Sequence, residues 1–268
     1  MAIKVVVIGL AVPGTKAMTE LINQFNPITL AEMSSVKLMN RTDTKFVTNR
    51  QRLCQLLEMA QTDYYVQDID GGRNLEYDTT YFDTVHFDMY NEHQHGHANR
   101  QKIRFRTYCC SGLQFMEVKT KNNHGRTKKK RMEVTNMNLK DEEKRQFLGR
   151  HLRYDVNTLQ PALNNHFSRI TLVNRAKTER LTIDSSLRFH NLQNDMTLDM
   201  GDLVIIELKR DGNVFSPVLD ILRQLRIKPS GFSKYCIGSV MTNRGLKHNR
   251  FNTRMVLLSK LAGQKLLK

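Results

Sequence analysis

Apolar and polar residues alternate at every second position through much of the chain. That period predicts strands at roughly 44–48, 76–84, 101–109, 113–121, 130–136, 167–174, 179–185 and 202–210. A helical recurrence replaces it from about Arg50 to Ala60, where Leu53, Leu56 and Leu57 share a face behind the cap candidates Thr48 and Asn49. Asp141-Glu142-Glu143 places acid at the start of another helix, and Pro217 suits a first helical turn. Helical patterns follow at about 217–226, 233–242 and 251–262. Strands outnumber helices and do not alternate with them, which predicts an α+β fold with an antiparallel sheet.

The polar faces of those strands carry the information. In Lys102-Ile103-Arg104-Phe105-Arg106 three cations share one face and the apolar residues the other. Glu117, Lys119 and Lys121 repeat the pattern, as do Glu207 with Lys209, and Arg180 with Thr182 and Asp184. Two architectures accommodate this: a sheet with one solvated side, or a barrel whose polar faces turn inward around a basic lumen. Composition alone does not choose between them.

Charge sharpens the picture. The 268 residues hold 42 Lys+Arg against 26 Asp+Glu, a net charge of +16, with 40% hydrophobic residues and no Trp. These proportions exclude a disordered chain or a fibre, and the positive excess implies a polyanion: nucleic acid, anionic lipid or a phosphate-rich molecule. The longest apolar run, Val5 to Val12, is far short of the ~20 residues of a membrane span. Cys54, Cys109, Cys110 and Cys236 have no metal or disulfide spacing, and read as reduced thiols of a cytoplasmic protein. The sequence Val12-Pro13-Gly14-Thr15-Lys16 makes a poor signal-cleavage site.

Six motifs occur in order: Arg41-Thr42-Asp43-Thr44-Lys45-Phe46, Tyr81-Phe82-Asp83-Thr84, Lys102-Ile103-Arg104-Phe105-Arg106, Glu117-Val118-Lys119, Ile206-Glu207-Leu208-Lys209 and Phe232-Ser233-Lys234-Tyr235. Together, from about Val36 to Val240, they resemble the VTC domain. This is the polyphosphate polymerase module of the vacuolar transporter chaperone complex, within the CYTH-like triphosphate tunnel metalloenzyme group. The resemblance implies an antiparallel β-barrel tunnel with a basic lumen and helices packed outside. It implies catalytic roles for Arg104, Arg106, Lys119 and Lys234. Phosphate binding would fall to Lys45, Lys102, Arg131, Arg169, Arg180 and Lys209. A Mn2+ or Mg2+ ion would rest on Glu207 and Glu117. ATP and inorganic polyphosphate are the implied partners, with no nucleic acid; the oligomeric state is left open.

Two departures stand out. The group's Glu-x-Glu-x-Lys signature appears as Arg41-x-Asp43-x-Lys45, so the N-terminal acidic pair is not preserved, and Phe167 stands where eukaryotic members often carry Tyr. With no SPX module or membrane segments in the sequence, the chain is expected to be a stand-alone, soluble, prokaryote-type relative. The expected division is an N-terminal extension (1–34), a tunnel domain (35–245) and a C-terminal helix (246–268). Residues 1–17, ahead of the helix-like stretch at Met18, are a candidate mis-set start. The expected reaction is polyphosphate synthesis from ATP with release of ADP. Triphosphate hydrolysis is the alternative, and a polyphosphate- or nucleic-acid-binding module the non-enzymatic one. Replacing Arg104 or Lys234 with Ala is expected to abolish polyphosphate binding and leave melting nearly intact.

Three further signals carry less. His93, His95 and His97 would share a face on a strand, but no fourth ligand lies nearby to complete a zinc site, and a solvated loop is the expectation. His93 is nonetheless a candidate to reach a terminal phosphate. The Gly9 to Lys16 stretch inverts the P-loop order. The run Lys128-Lys129-Lys130-Arg131 could be a nucleic-acid patch, but it opens a strand, and only 7% of residues are aromatic for base stacking.

Overall fold

The alternating segments join into one mainly antiparallel sheet in the computed structural model, which describes residues 13–33, 41–123 and 127–265. The run Val5–Val12, the boundary proposed at residues 34–35 and Lys268 lie outside the described residues. The first part of the chain forms α1 (Pro13–Asn23), β1 (Asn26–Ile28), α2 (Leu30–Met33), β2 (Arg41–Asn49), α3 (Arg50–Ala60) and β3 (Tyr64–Gln67). The middle forms β4 (Asn74–Thr84), α4 (Asp88–His95), β5 (Arg100–Tyr108), β6 (Gln114–Lys121), β7 (Thr127–Val134) and α5 (Glu142–His151). Then follow β8 (Leu159–Asn174), β9 (Glu179–Asn191), β10 (Thr197–Asp199), β11 (Leu203–Asp211), α6 (Pro217–Gln224), α7 (Lys234–Thr242) and α8 (Asn252–Leu261).

Neighbouring strands run β2-β11-β9-β8-β4-β5-β6-β7, with β3 on β8, β1 parallel to β3, and β10 on β9. Among the described residues β2 and β7 do not pair, so the sheet keeps two edges. It curls all the same. Lys45 on β2 acts electrostatically on Lys102 of β5 and Lys119 of β6, strands toward the opposite end of the sheet. The result is a half-barrel, and the inward-facing alternative read from the sequence is the one the chain adopts.

Packing follows from the alternation. The convex face, with Phe46, Ile183, Ile206 and Leu208, buries Leu53, Leu56 and Leu57 of α3, Met18 and Ile22 of α1, and Val218 and Leu222 of α6. Farther round, Ile103, Phe105 and Met116 pack against Leu148 of α5. Each such side chain, when fully buried, contributes about 1.5–3 kcal/mol of transfer free energy. These helices lie outside, as expected. α7 and α8 differ: Tyr235, Ile237, Val240 and Met255 pack against Tyr77, Tyr81, Phe167 and Ile205 on the concave side. Gly238 permits that approach, because a Cβ there would stand 2.5 Å from the Phe189 ring and 2.6 Å from Leu163. The half-barrel is therefore stoppered along part of its concave face by a helix whose N-terminus looks into the remaining lumen. The N-terminal extension from Met18 and the C-terminal helix share these cores with the sheet.

Two strands run longer than the alternation predicts. β8 begins at Leu159 and β9 ends at Asn191, and their pairing shifts register between His166 and Ser168, opposite Ser186 with its positive φ of 52°. The extra residue lies on β9, so its inward-facing period reverses there although the strand continues, while β8 shifts register against β4 beside Ala162. α4 also differs from expectation: His93 and His95 lie on a short helix, not on a loop or strand. Its N-cap residue, Phe87, supplies no side-chain bond; Thr84 Oγ1 accepts the Asp88 amide, and the buried Asp83 carboxylate on β4 accepts the amides of Met89 and Tyr90 and the Tyr235 hydroxyl. Asp83 of the Tyr81–Thr84 motif is thus a brace between sheet, α4 and α7.

Candidate functional site

Register places the expected cations on one surface. In the β2–β11 ladder Lys45 faces Glu207 and Asp43 faces Lys209; across β11–β9, Lys209 faces Arg180 and Ile205 faces Asp184. Asp184 in turn faces Arg169 on β8. On the far side, Tyr81 faces Arg104 and Thr79 faces Arg106. Arg104 faces Glu117, Lys102 faces Lys119, and Glu117 faces Arg131. Lys234 enters from the first turn of α7.

Two carboxylates organise this surface. Asp184 accepts Arg169 through paired bonds, Nε–Oδ1 at 2.6 Å and Nη2–Oδ2 at 2.8 Å, and also accepts Lys234 Nζ. Paired geometry of this kind fixes the guanidinium plane. Burial alone would raise the Asp184 carboxyl; Arg169 and Lys234 outweigh it and hold it below the usual range. Glu117, 2% exposed, accepts Arg104 Nε at 2.6 Å on one oxygen and Lys129 Nζ at 2.9 Å on the other. Against its burial, Arg104, Arg106 and Lys129 bring its carboxyl down to about 2. Glu207 accepts Lys209 Nζ at 2.8 Å and lies 3.9 Å from Lys45 Nζ.

Other cations lack such partners. Arg106 is buried at 6% exposure, and among the described residues no carboxylate reaches ion-pair distance of it; its Nε donates to Thr79 Oγ1 at 3.2 Å. Desolvation, then Arg104 and Arg169, push it down to about 10. Its guanidinium lies 5.7 Å from the centroids of both Tyr77 and Phe167, which stack on each other. Phe167 also presents its face to Lys234 Nζ at 3.4 Å, so the missing tyrosine hydroxyl leaves a cation–π platform. Lys119 stays accessible to solvent, yet partial desolvation and then Lys45, Arg104 and Lys102 push it down to about 8 against the pull of Glu207. Lys102 Nζ donates to Ser233 Oγ at 2.6 Å, and Lys45 Nζ to the Phe232 carbonyl at 3.0 Å. Burying unpaired charge costs several kcal/mol per ion.

With this geometry in hand, the family is decided by a match of the VTC domain model to residues 40–243. The chain belongs to the VTC domain family. No curated protein matches the chain. Similar solved structures include a candidate adenylate cyclase from Bacillus halodurans, 15% identical over 73% of this chain and 96% of that one, with a TM-score of 0.49. The candidate adenylyl cyclase HpAC1 from Hippeastrum, described as having a dominant triphosphatase activity, is 14% identical over 79% of this chain and 100% of that one, with a TM-score of 0.45. PH1819 from Pyrococcus horikoshii is 12% identical over 73% and 97%, with a TM-score of 0.41.

The residues carried over from the VTC resemblance separate into a centre and a rim. Arg104, Arg106, Arg169, Lys234 and Lys209 form a connected set at the centre: Arg104 and Arg169 act on Arg106, and Arg169 acts on Lys234 and Lys209. Lys45, Lys102 and Lys119 form one end. Arg180 lies on the lumen face opposite Lys209, and Arg131 is exposed at the lip, its guanidinium 4.7 Å from the Phe115 centroid. Asp184 and Lys129 were not assigned roles by sequence reasoning. Asp184 shared a face with Arg180 and Thr182 there, and Lys129 lay inside the basic run, so alternation could have found both.

The divalent metal that VTC membership implies can be tested on these carboxylates. Among the described residues no three His, Cys, Asp or Glu side chains form a cation cage. Both oxygens of Glu117 are engaged by cations, which suits a counter-ion better than a ligand. Glu207 fits: only one oxygen has a close partner, and magnesium-type ions bind through one or two carboxylates plus substrate phosphates.

Proposed function

We propose that the lumen binds a triphosphate or polyphosphate chain and transfers the γ-phosphoryl group of ATP to the end of a growing polyphosphate, releasing ADP. One observation supports this reading above others: a buried row of arginines and lysines in which Arg106 and Lys102 have no carboxylate partner among the described residues. Phosphoryl transfer asks for alignment and for stabilised charge on non-bridging oxygens, and little covalent help. Arg169 and Arg104, fixed in plane by Asp184 and Glu117, bind phosphate oxygens from two sides. Arg106 and Lys234 lie between them. The acceptor is a terminal phosphate oxygen, so no side-chain nucleophile is needed: its new bond to the γ-phosphorus replaces the bond to the bridging β–γ oxygen, which leaves with ADP. Mn2+ or Mg2+ held by Glu207 would supply further neutralisation of phosphate charge.

One observation favours a second reading, triphosphate hydrolysis: among the described residues β2 and β7 do not pair, which leaves a side of the lumen through which water can arrive. Incubation with ATP and Mn2+, with products resolved on a gel, separates the two. Synthesis gives ADP and chains of increasing length. Orthophosphate without chains overturns synthesis, and inertness overturns both readings. Glu207→Gln is expected to lower turnover by about a hundredfold or more and to raise the metal concentration needed for half-maximal rate.

The lysine at the rim gives a pH signature. Bound phosphate favours the charged form of Lys119, whose free value is about 8, so binding takes up a proton above that pH. The lysine's contribution to tripolyphosphate affinity is therefore expected to be full below about pH 7 and to fall above about pH 8. Lys119→Arg should flatten the profile in that window, as calorimetric titration across pH would record.

A further inference from the structure

Beyond the lumen, a second group of cations gathers where α4, the start of β5 and α8 meet. Arg250 and Arg254 sit four residues apart, in the turn at Asn249–Phe251 and the first turn of α8. The Tyr90 hydroxyl, which donates to the Lys247 carbonyl at 2.8 Å, ties the segment before them to α4. The Arg250 guanidinium fills the space beside Gly96, where a Cβ would stand 2.3 Å from its Nη1. Arg254 lies over Gly231, 3.5 Å from the corresponding point. Arg100 donates to the His97 carbonyl at 2.5 Å.

These charges are poorly compensated. Among the described residues neither the Arg250 nor the Arg254 guanidinium has a hydrogen bond or an ion pair, and the two act repulsively on each other. The nearby carboxylate, Glu92, is paired with Arg153. Half-buried His93 is held neutral, its value lowered to about 2 by desolvation and then by Lys102, Arg100, Arg250 and Arg254. The group also continues into the lumen. His93 Nδ1 contacts Cys236 Sγ at 3.1 Å, Lys102 Nζ lies 3.8 Å from the same sulfur, and Lys102 and Lys45 both bond the Phe232–Ser233 loop that follows Gly231. Arg250 and Arg254 lie beyond residues 40–243, outside the family match.

We propose that Arg100, Arg250 and Arg254 form a second anion subsite at the Lys45–Lys102 end of the lumen, which engages the phosphates of a phosphoanhydride chain too long for the lumen alone. The proposal rests on the reading of the lumen as a phosphate site. It assigns chain-length preference to this subsite: a triphosphate fills the centre, and a longer chain also reaches the three guanidiniums.

The test compares two probes, tripolyphosphate and polyphosphate of several tens of phosphates, by calorimetry on the full chain and on Arg250→Gln/Arg254→Gln. Long-chain affinity is expected to fall about tenfold or more in the double variant, the loss of two charge-assisted contacts, and its salt dependence to become shallower. Tripolyphosphate affinity should stay within about twofold, since neither side chain touches the centre. Arg250→Gln alone, at an exposed position without partners, guards against misfolding and should give part of the effect. Equal weakening of both probes, or no weakening of either, overturns the subsite and leaves the lumen reading standing. Failure of the unaltered protein to bind either probe overturns both.

Discussion

Lys234→Ala is expected to lower phosphate binding and turnover by about two orders of magnitude or more, while the melting temperature holds or rises. Lys234 lies at the first turn of α7, one-tenth exposed, in contact with Asp184 and against the Phe167 ring. Burial, against the pull of Asp184, pushes its ammonium well below the usual range, so the folded protein holds a desolvated cation under strain. Deleting it leaves Asp184 with both bonds to Arg169, so no carboxylate is orphaned. The helix start survives, because its cap is Ser233, whose Oγ accepts the Cys236 amide. Turnover and thermal melting measured on the same sample check both halves. Retained activity with a lowered melting point would make Lys234 a structural residue.

Arg104→Ala should cost both activity and stability. Its departure leaves Glu117, nearly fully buried, with the half-exposed Lys129 as its one ion-pair partner among the described residues. Breaking a buried pair from one side destabilises by about 3–5 kcal/mol, and the remaining lysine reduces that toward about 2 kcal/mol. The two substitutions that sequence reasoning treated alike are thus separated by what each leaves behind. Arg104→Ala combined with Glu117→Gln is expected to recover most of the stability and none of the activity. The deficit of Arg104→Ala should also shrink in acid. The carboxyl of Glu117 titrates near 2 when folded against 4.5 ordinarily, so its contribution is full above about pH 4.5 and vanishes as pH falls through about 2. Denaturant melts of the unaltered protein and of the single and double variants at neutral and acidic pH measure this directly. A stable single variant at neutral pH would mean that Glu117 is held by other partners.

Much of this site was legible because alternation is a local property. Lys102, Arg104 and Arg106 had to share a face once β5 was a strand, and the ordered motifs then said which way that face turned. What escaped depended on contacts distant in sequence. The bulge at Ser186 reverses the inward-facing positions of β9, so that strand looked shorter than it is. α4 is held by Asp83 and Tyr235 from other elements, and its own sequence carries little apolar period. The packing of α7 on the concave face depends on the space left beside Gly238, which no pattern along one helix reveals. Charge type was visible in the sequence, but charge pairing was not. For Glu117, a metal-ligand candidate by sequence, the pairing places Arg104 and Lys129 on its two oxygens.

The most direct measurement is a crystal structure with tripolyphosphate and Mn2+, located by anomalous scattering. The account predicts a phosphate chain along the lumen between Arg104, Arg106, Arg169 and Lys234, with manganese beside Glu207. Phosphate bound only on the convex face or along Lys128–Lys130, with the lumen empty, would contradict it.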